Sequence, residues 1–288
     1  MNTATALTLV APYEDDGLAT LEKYEIYMRG AGLAERSINE SLATLKRLEV
    51  FAGRPVDEIT TIDVSRYLGR TSIGANTRNT YFGLLRPFFR WLGNNGGRDL
   101  MNGLPRPRKP RGVPHPVSND GLIRLLAQRM HKRTHAMILL MALAGLRVHE
   151  VAKVAGEDFN PIARTVRVVG KGGVDATLPL HPLLVELCYS MPRKGWWFPT
   201  NSTRTGHVLP RSVGSIVKMV MVRADIPGSA HSLRHWYGTA LVQSGVDLRT
   251  TQTLLRHASL ATTQIYTEVT DANREAAIDR LDPFGGVR

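Results

Sequence analysis

A proline-rich, basic segment divides this sequence into two parts and limits the folds that the chain can adopt. From Leu104 to Pro116 it reads Leu-Pro-Arg-Pro-Arg-Lys-Pro-Arg-Gly-Val-Pro-His-Pro, with five prolines. Proline lacks a backbone N–H and fixes φ, so this run excludes a continuous helix and favours an extended, semi-rigid connection. Its basic side chains, which favour an anionic partner, are Arg106, Arg108, Lys109 and Arg111. We therefore predict two domains joined by a basic linker over residues 105–116.

The part before the linker is predicted to be an all-α domain. Between residues 18 and 104 apolar side chains recur at helical spacing, whereas residues 1–17 lack that periodicity and are predicted to be a flexible leader. Ser37 followed by Glu40 has the form of a capping box, which predicts that a helix begins there.

The last long helix of this domain carries several arginines. It is predicted over about residues 77–92, with a bend or a junction at Pro87. Arg78, Arg86 and Arg90 lie four or more positions apart along it. These arginines form either a solvated face or a set of contacts to DNA phosphates, and the sequence leaves both interpretations open.

The part after the linker, residues 117–288, has mixed α and β patterns. The segment 135–143 is apolar nearly all round, which predicts a buried helix. Segments 165–169 and 176–180 are predicted to form a β-hairpin, because Lys171 and two glycines between them make a turn signal. Further helices are predicted to begin at Pro182, near Arg211, at Ser232 and at Asp247.

The composition favours a polyanionic partner. The chain of 288 residues has a formal net charge of +12 at pH 7 and a pI near 10.2, and most of its positive charge is arginine. Nucleic acid fits this charge best, although acidic substrates or anionic membranes would also fit it. Cys188 is the single cysteine and is predicted to be a buried thiol. Because no apolar run could span a bilayer and no signal peptide is visible, a cytoplasmic location is expected.

Two short motifs in the second part combine arginine with acid–base side chains. Arg147 and Glu150 are three residues apart after a Gly-Leu pair, so they are neighbours at the start of a helix. His231 and Arg234 have the same spacing on a later helix. Either pair alone has an ordinary explanation, a surface ion pair for the first and a structural histidine for the second.

A third motif places a histidine nine positions before a tyrosine. The stretch from His257 to Thr267 reads His-Ala-Ser-Leu-Ala-Thr-Thr-Gln-Ile-Tyr-Thr, so the tyrosine is Tyr266. A single tyrosine at this spacing usually packs in a core. It is the order of all three motifs, with a hairpin lysine between the first and the second, that carries information about function.

In this combination and order, the sequence resembles the tyrosine recombinases, which include phage integrases and Xer-type resolvases. The resemblance in architecture covers about residues 18–280, and the specific motifs fall within residues 144–267. Two positions depart from the usual pattern of the family. Arg256 stands where the family usually has glycine, and Gly238 stands where it often has alanine.

The resemblance implies a covalent mechanism with a 3′-phosphotyrosine intermediate. Tyr266 would attack the scissile phosphate, and His231 would help to move its proton. Lys171, in the hairpin turn, would be the general acid that protonates the leaving 5′-oxygen. The tyrosine ester conserves the energy of the broken bond, so neither a metal nor a nucleotide cofactor is expected.

The remaining site residues would bind the phosphate or support those that do. Arg147 and Arg234 would bind its non-bridging oxygens and follow their charge into the transition state. His257 would donate a further hydrogen bond to the phosphate. Glu150 would orient Arg147 or a neighbouring group.

The resemblance also implies a clamp around double-stranded DNA. An all-α, SAM-like core-binding domain and a mixed α+β catalytic domain would enclose the duplex, and the linker would cross its backbone. Four chains would assemble on DNA as a homotetramer from free monomers or weak dimers, with accessory proteins possible, in the nucleoid of a bacterial host. The segment 273–281 is amphipathic and would pack in its own chain or on a neighbouring protomer.

Three functions are compatible with these motifs. The first is a site-specific recombinase, with a phage or mobile-element integrase as the leading expectation. The second is a type IB topoisomerase, which uses similar chemistry as a monomer to relax supercoils. The third is a DNA-binding protein that retains the fold without catalysis. The small helical first domain and the residues after Tyr266 favour a recombinase over a topoisomerase. The full set of chemical residues argues against a non-catalytic protein.

Overall fold

The chain divides into two compact units, Met1–Gly112 and Val113–Arg288. The structure is a computed structural model, and it describes residues 18–108, 115–170, 175–200 and 206–256. None of the helices in these ranges is long and apolar enough to cross a membrane. The finer limits that the sequence predicts for the leader and the linker remain predictions.

The regular elements described in the first unit are helices. They are α1 (Thr20–Gly30), α2 (Glu35–Ala52), α3 (Thr61–Gly69) and α4 (Ala75–Asn94). Their apolar faces meet in a core rich in aromatic rings, where Tyr24 of α1 lies edge-on to Phe88 of α4 with ring centroids 5.0 Å apart. Burial of such rings is the main stabilising contribution of a small helical domain.

Two local predictions for this unit need correction. The helix start predicted at Ser37 is wrong, because α2 begins at Glu35 with Ala34 as its N-cap. Gly32, with φ of 71°, turns the chain so soon after α1 that Ser37 already lies inside α2. Pro87 does not mark a junction either, because α4 continues through it. The fully buried Phe88 and its neighbours in the core hold this helix in place on both sides of the proline.

The second unit is mixed. Its helices are α5 (Asn119–Leu126), α6 (Lys132–Leu143), α7 (Val148–Val151), α8 (Pro182–Ser190), α9 (Pro210–Arg223), α10 (Ala230–Gln243) and α11 (Leu248–Leu255). Between α7 and α8 lie a short 3-10 turn (Gly156–Asp158) and the strands β1 (Phe159–Asn160), β2 (Thr165–Val169) and β3 (Asp175–Pro179). The strands pair antiparallel in the order β1-β2-β3.

The predicted hairpin and the predicted buried helix are both confirmed. In the hairpin Val166 of β2 lies opposite Leu178 of β3, and both side chains are buried. Helix α6 is the central helix of the core, with Ile138 and Leu140 fully buried. Helix α10 packs against α6. This packing brings the first turns of α10 close to the C-terminal end of α6, where the first arginine motif follows.

Candidate active site

The turn after α6 positions Arg147 and needs glycine at one place. Gly145 has φ of 60°, in the left-handed region that side chains rarely adopt. A Cβ atom added there would lie 2.5 Å from Cδ1 of Tyr237 on α10, which is too close for any real contact. Gly145 therefore lets α10 approach the turn, and Arg147 follows as the N-cap of α7.

Glu150 holds Arg147 through two hydrogen bonds. The Glu150 side chain is completely buried, whereas the Arg147 side chain is 32% exposed. Oε2 of Glu150 accepts a hydrogen bond from the backbone N–H of Arg147 at 2.7 Å, and Oε1 accepts one from its NH1 at 3.0 Å. The first contact caps the N-terminus of α7, and the second fixes the guanidinium. This is the placement expected of a residue that orients Arg147.

Arg234 lies in the second turn of α10 and is only 1% exposed. Its NH1 donates a hydrogen bond to the carbonyl of Gly145, and its NH2 donates one to the carbonyl of Leu255 at the end of α11. A buried guanidinium needs such acceptors, because an arginine without them would be costly to remove from water. The two catalytic arginines of the predicted set thus meet around the same turn.

Arg256 belongs to the same cluster. It is the C-cap of α11 and adopts the left-handed conformation, with φ of 51° and ψ of 48°. Its NH2 lies 2.6 Å from Oε2 of Glu150, and its backbone carbonyl accepts a hydrogen bond from NH2 of Arg147 at 3.2 Å. Sequence reasoning identified Arg256 only as a departure from a usual glycine. The departure was the available signal, but it did not reveal this contact.

The cluster has an excess of positive charge. Burial alone would raise the pKa of Glu150, but nearby Arg256, the backbone N–H of Arg147 and the guanidiniums of Arg147 and Arg234 outweigh it and lower that pKa. Glu150 is therefore ionised at neutral pH. Three guanidiniums against one carboxylate leave two positive charges in excess, which suits a bound phosphate.

His231 lies one turn before Arg234 on α10 and is open to solvent. Partial burial, together with the charges of Arg234 and Arg147, lowers the pKa of His231 below its usual value. The His231 imidazole is therefore neutral at pH 7 and can accept a proton. His235 lies edge-on to it with ring centroids 4.5 Å apart, and burial, His231, Arg234 and His115 lower the pKa of His235 to about 4.

Three of the predicted DNA-binding arginines line one cleft in the first unit. We call Arg86, Arg90 and Arg106 the cleft arginines; the cleft has a volume of about 510 Å³. Arg108 is exposed beyond them. Arg78 has a different environment, because its guanidinium donates hydrogen bonds to backbone carbonyls between α3 and α4, with a shortest distance of 2.6 Å to Leu68. Its contacts hold that turn together.

Several predicted residues lie outside the described ranges. They are Lys109, Arg111, Lys171, His257 and Tyr266. Their assignments remain predictions. Within the described ranges, no group of histidine, cysteine, aspartate or glutamate side chains is arranged to hold a metal ion.

Sequence relatives identify the family. Residues 120–273, more than half of the chain, match the family model described as the phage integrase family. The putative integrase/recombinase y4qK of Sinorhizobium fredii is 32% identical over 250 residues, which cover 81% of this chain and 80% of the relative. The tyrosine recombinase XerC of Erythrobacter litoralis is 34% identical over 219 residues, which cover 69% of this chain and 71% of the relative.

Solved structures agree with this match. The integrase from mycobacterium phage Brujita is 46% identical, with a TM-score of 0.50 and 92% of each chain covered. A lambda integrase dimer bound to a COC′ core site is 18% identical and shares the fold, with a TM-score of 0.70 over 86% of this chain and 93% of that one. On its motifs, its family match and these relatives, the chain belongs to the phage integrase family of tyrosine recombinases.

Proposed function

We propose that this protein is an integrase of a phage or another mobile element, which cleaves and rejoins DNA at specific sites through a 3′-phosphotyrosine intermediate. The observation that carries the proposal is the buried cluster in which Glu150 holds Arg147 beside Arg234. An isolated surface ion pair would not need a completely buried carboxylate.

The charge of the cluster matches the chemistry of a phosphodiester. The pentacoordinate transition state carries two negative charges on its non-bridging oxygens, one more than the ground state, and fixed cations stabilise it preferentially. The hydrogen bonds from Arg147 to Glu150 and Arg256 use two of the five N–H donors of its guanidinium. Because the Arg147 side chain is 32% exposed, its other donors can reach a phosphate.

The proton transfers fall to residues on either side of this cluster. Neutral His231 can accept the proton of the attacking phenol, which has an ordinary pKa of about 10 and reacts slowly unless it is deprotonated. We assign the nucleophile to Tyr266, the general acid to Lys171 and a further phosphate hydrogen bond to His257, on the resemblance of their motifs.

DNA binding would involve both units. The helical first unit is proposed as the SAM-like core-binding domain, with the cleft arginines and Arg108 on the phosphate backbone. The linker, with Lys109 and Arg111, would cross the duplex as part of a clamp. A homotetramer on DNA follows from the need for four cleavages on two duplexes. One structural relative is a dimer on its core site, and another, XerH, is bound to a difH substrate.

Covalent trapping tests this function. A binding site would first be selected by the protein from a randomised DNA library and then built into a duplex nicked beside the cleavage position. Cleavage releases a short fragment that diffuses away, so the wild-type protein should accumulate a denaturant-stable DNA adduct. Two intact copies of the site should also recombine. An absence of adduct would favour a non-catalytic DNA-binding protein, whereas relaxation of plasmids that lack the site would favour a topoisomerase.

A further inference from the structure

We infer that Arg256 is a positioning residue of this site, whose side chain and backbone carbonyl together hold Glu150 and Arg147 in the orientation that binds the scissile phosphate. The inference rests on the proposed function, because it assigns Arg256 a part in the same phosphate-binding cluster. It goes beyond the family pattern, which usually has glycine at this position.

The backbone of Arg256 points to a compensating role for its side chain. A φ of 51° is favourable for glycine and strained for a residue with a Cβ atom, and glycine or asparagine is the usual choice at such a helix end. The guanidinium makes a short, charge-assisted contact with Glu150, and both side chains are almost entirely removed from solvent, at 11% and 0% exposure. The contact offsets the strain.

The contacts form a closed ring of three residues. NH2 of Arg256 donates to Oε2 of Glu150, NH1 of Arg147 donates to Oε1 of Glu150, and NH2 of Arg147 donates back to the carbonyl of Arg256. Each residue is therefore held by the other two. Rotation of the Arg147 guanidinium away from its observed plane would break two of these bonds.

The rest of the Arg256 side chain has few alternative partners. Nε and NH1 are buried and make no hydrogen bond within the described residues, so Glu150 is the acceptor that fixes the guanidinium there. Since that guanidinium is turned inward, onto a buried carboxylate, the side chain would have to leave Glu150 to reach the DNA backbone. A direct phosphate contact by Arg256 is the competing role that the experiment must separate.

Arg256 also connects the two catalytic arginines. The neighbouring carbonyls of Leu255 and Arg256, at the C-terminal end of α11, accept hydrogen bonds from Arg234 and Arg147 respectively. The ion pair with Glu150 ties this helix end to α7. If the tie is lost, the end of α11 and the orientation of Arg147 should both loosen.

The test measures single-turnover cleavage of the nicked duplex by Arg256→Gln. Glutamine keeps a similar length and the same backbone strain but removes the charge. Misplacement of a phosphate-binding group by about 1 Å can cost on the order of 100-fold in rate, so we expect cleavage to slow by about 10- to 100-fold. Arg256→Lys should recover part of the loss. The matched control is Arg249→Gln, because Arg249 is an exposed arginine on the same helix that contacts Gln252, and it should cleave at the wild-type rate.

Two readouts separate positioning from a purely structural role. If Arg256 acts through Arg147, the double variant Arg147→Ala/Arg256→Gln should cleave no more slowly than Arg147→Ala alone. A methylphosphonate at the scissile position removes the negative charge that Arg147 binds, so the defect of Arg256→Gln should shrink on that substrate. Binding of the intact site, and its dependence on salt, should stay at the wild-type values.

The inference is overturned if Arg256→Gln cleaves at the wild-type rate, or if its defect adds fully to that of Arg147→Ala. Weakened binding with a shallower salt dependence would instead assign Arg256 to direct phosphate contact. If Arg256→Gln does not fold, Arg256→Gly is used, since glycine relieves the backbone strain while removing the guanidinium. A wild-type protein that forms no adduct would contradict the proposed function itself, which is a separate result.

Discussion

Replacement of Gly145 by alanine should damage both the stability and the activity of the second unit. Alanine at φ of 60° costs about 1 kcal/mol or more in backbone strain. Its Cβ would lie 2.5 Å from Cδ1 of Tyr237, so the ring must move, at a cost of roughly 1–3 kcal/mol for such overpacking. The total is roughly 2–4 kcal/mol, and the carbonyl that accepts a hydrogen bond from Arg234 shifts with the turn.

Thermal unfolding and single-turnover cleavage measure these two effects. For a domain of this size, each kcal/mol lowers Tm by about 2–4 °C, so Gly145→Ala should lower the Tm of this unit by about 5–15 °C. Gly214→Ala is the matched control, because Gly214 lies in α9 and its new Cβ would meet only Cγ1 of Val148, at an ordinary 3.9 Å. The control should keep or raise Tm, since alanine favours helices. A Gly145→Ala protein with wild-type Tm and cleavage would refute this account of the turn.

Three further predictions concern protonation, DNA binding and the leaving group. The lowered pKa of His231 and the pKa of about 4 for His235 mean that the unfolded chain binds more protons below pH 6.5; a series of denaturation curves should therefore show stability falling as pH falls from about 6.5 to 4. Changing the cleft arginines to glutamine together should make the dependence of DNA affinity on salt shallower by up to about three charges, whereas Arg78→Gln should lower Tm without changing that slope. Lys171→Ala should cleave an ordinary phosphodiester very slowly but recover on a 5′-bridging phosphorothiolate, whose thiolate leaves without an acid, and equal defects on both substrates would exclude Lys171 as the acid.

Elements with a clear local period could be predicted from the sequence. The alternation of apolar residues in β2 and the all-round apolar surface of α6 are properties of a few consecutive residues, and both predictions were confirmed. The start of α2 was predicted wrongly, because a serine three residues before a glutamate also fits the interior of a helix. What decided the start was the turn at Gly32, not the cap.

The site was only partly predictable, because its key contacts join distant parts of the chain. The motifs named Arg147, Glu150 and Arg234, and the spacing of the first two predicted that they would be neighbours. The contact between Arg256 and Glu150 spans 106 residues, and no local pattern encodes it. Arg78 shows the same limit, since its helical spacing matches that of exposed arginines while its guanidinium is bound to backbone carbonyls.

The central claim is that this chain cuts DNA by forming a bond between Tyr266 and a 3′-phosphate, and mass spectrometry of the trapped adduct tests it most directly. The adduct would be digested with protease and nuclease, and the peptide that carries the nucleotide would be sequenced. We predict a nucleotide on Tyr266, attached through its 3′-phosphate, and no adduct with Tyr266→Phe, although that variant should bind the same site. A nucleotide on another residue, such as Tyr237, or one joined through its 5′-phosphate, would contradict the account.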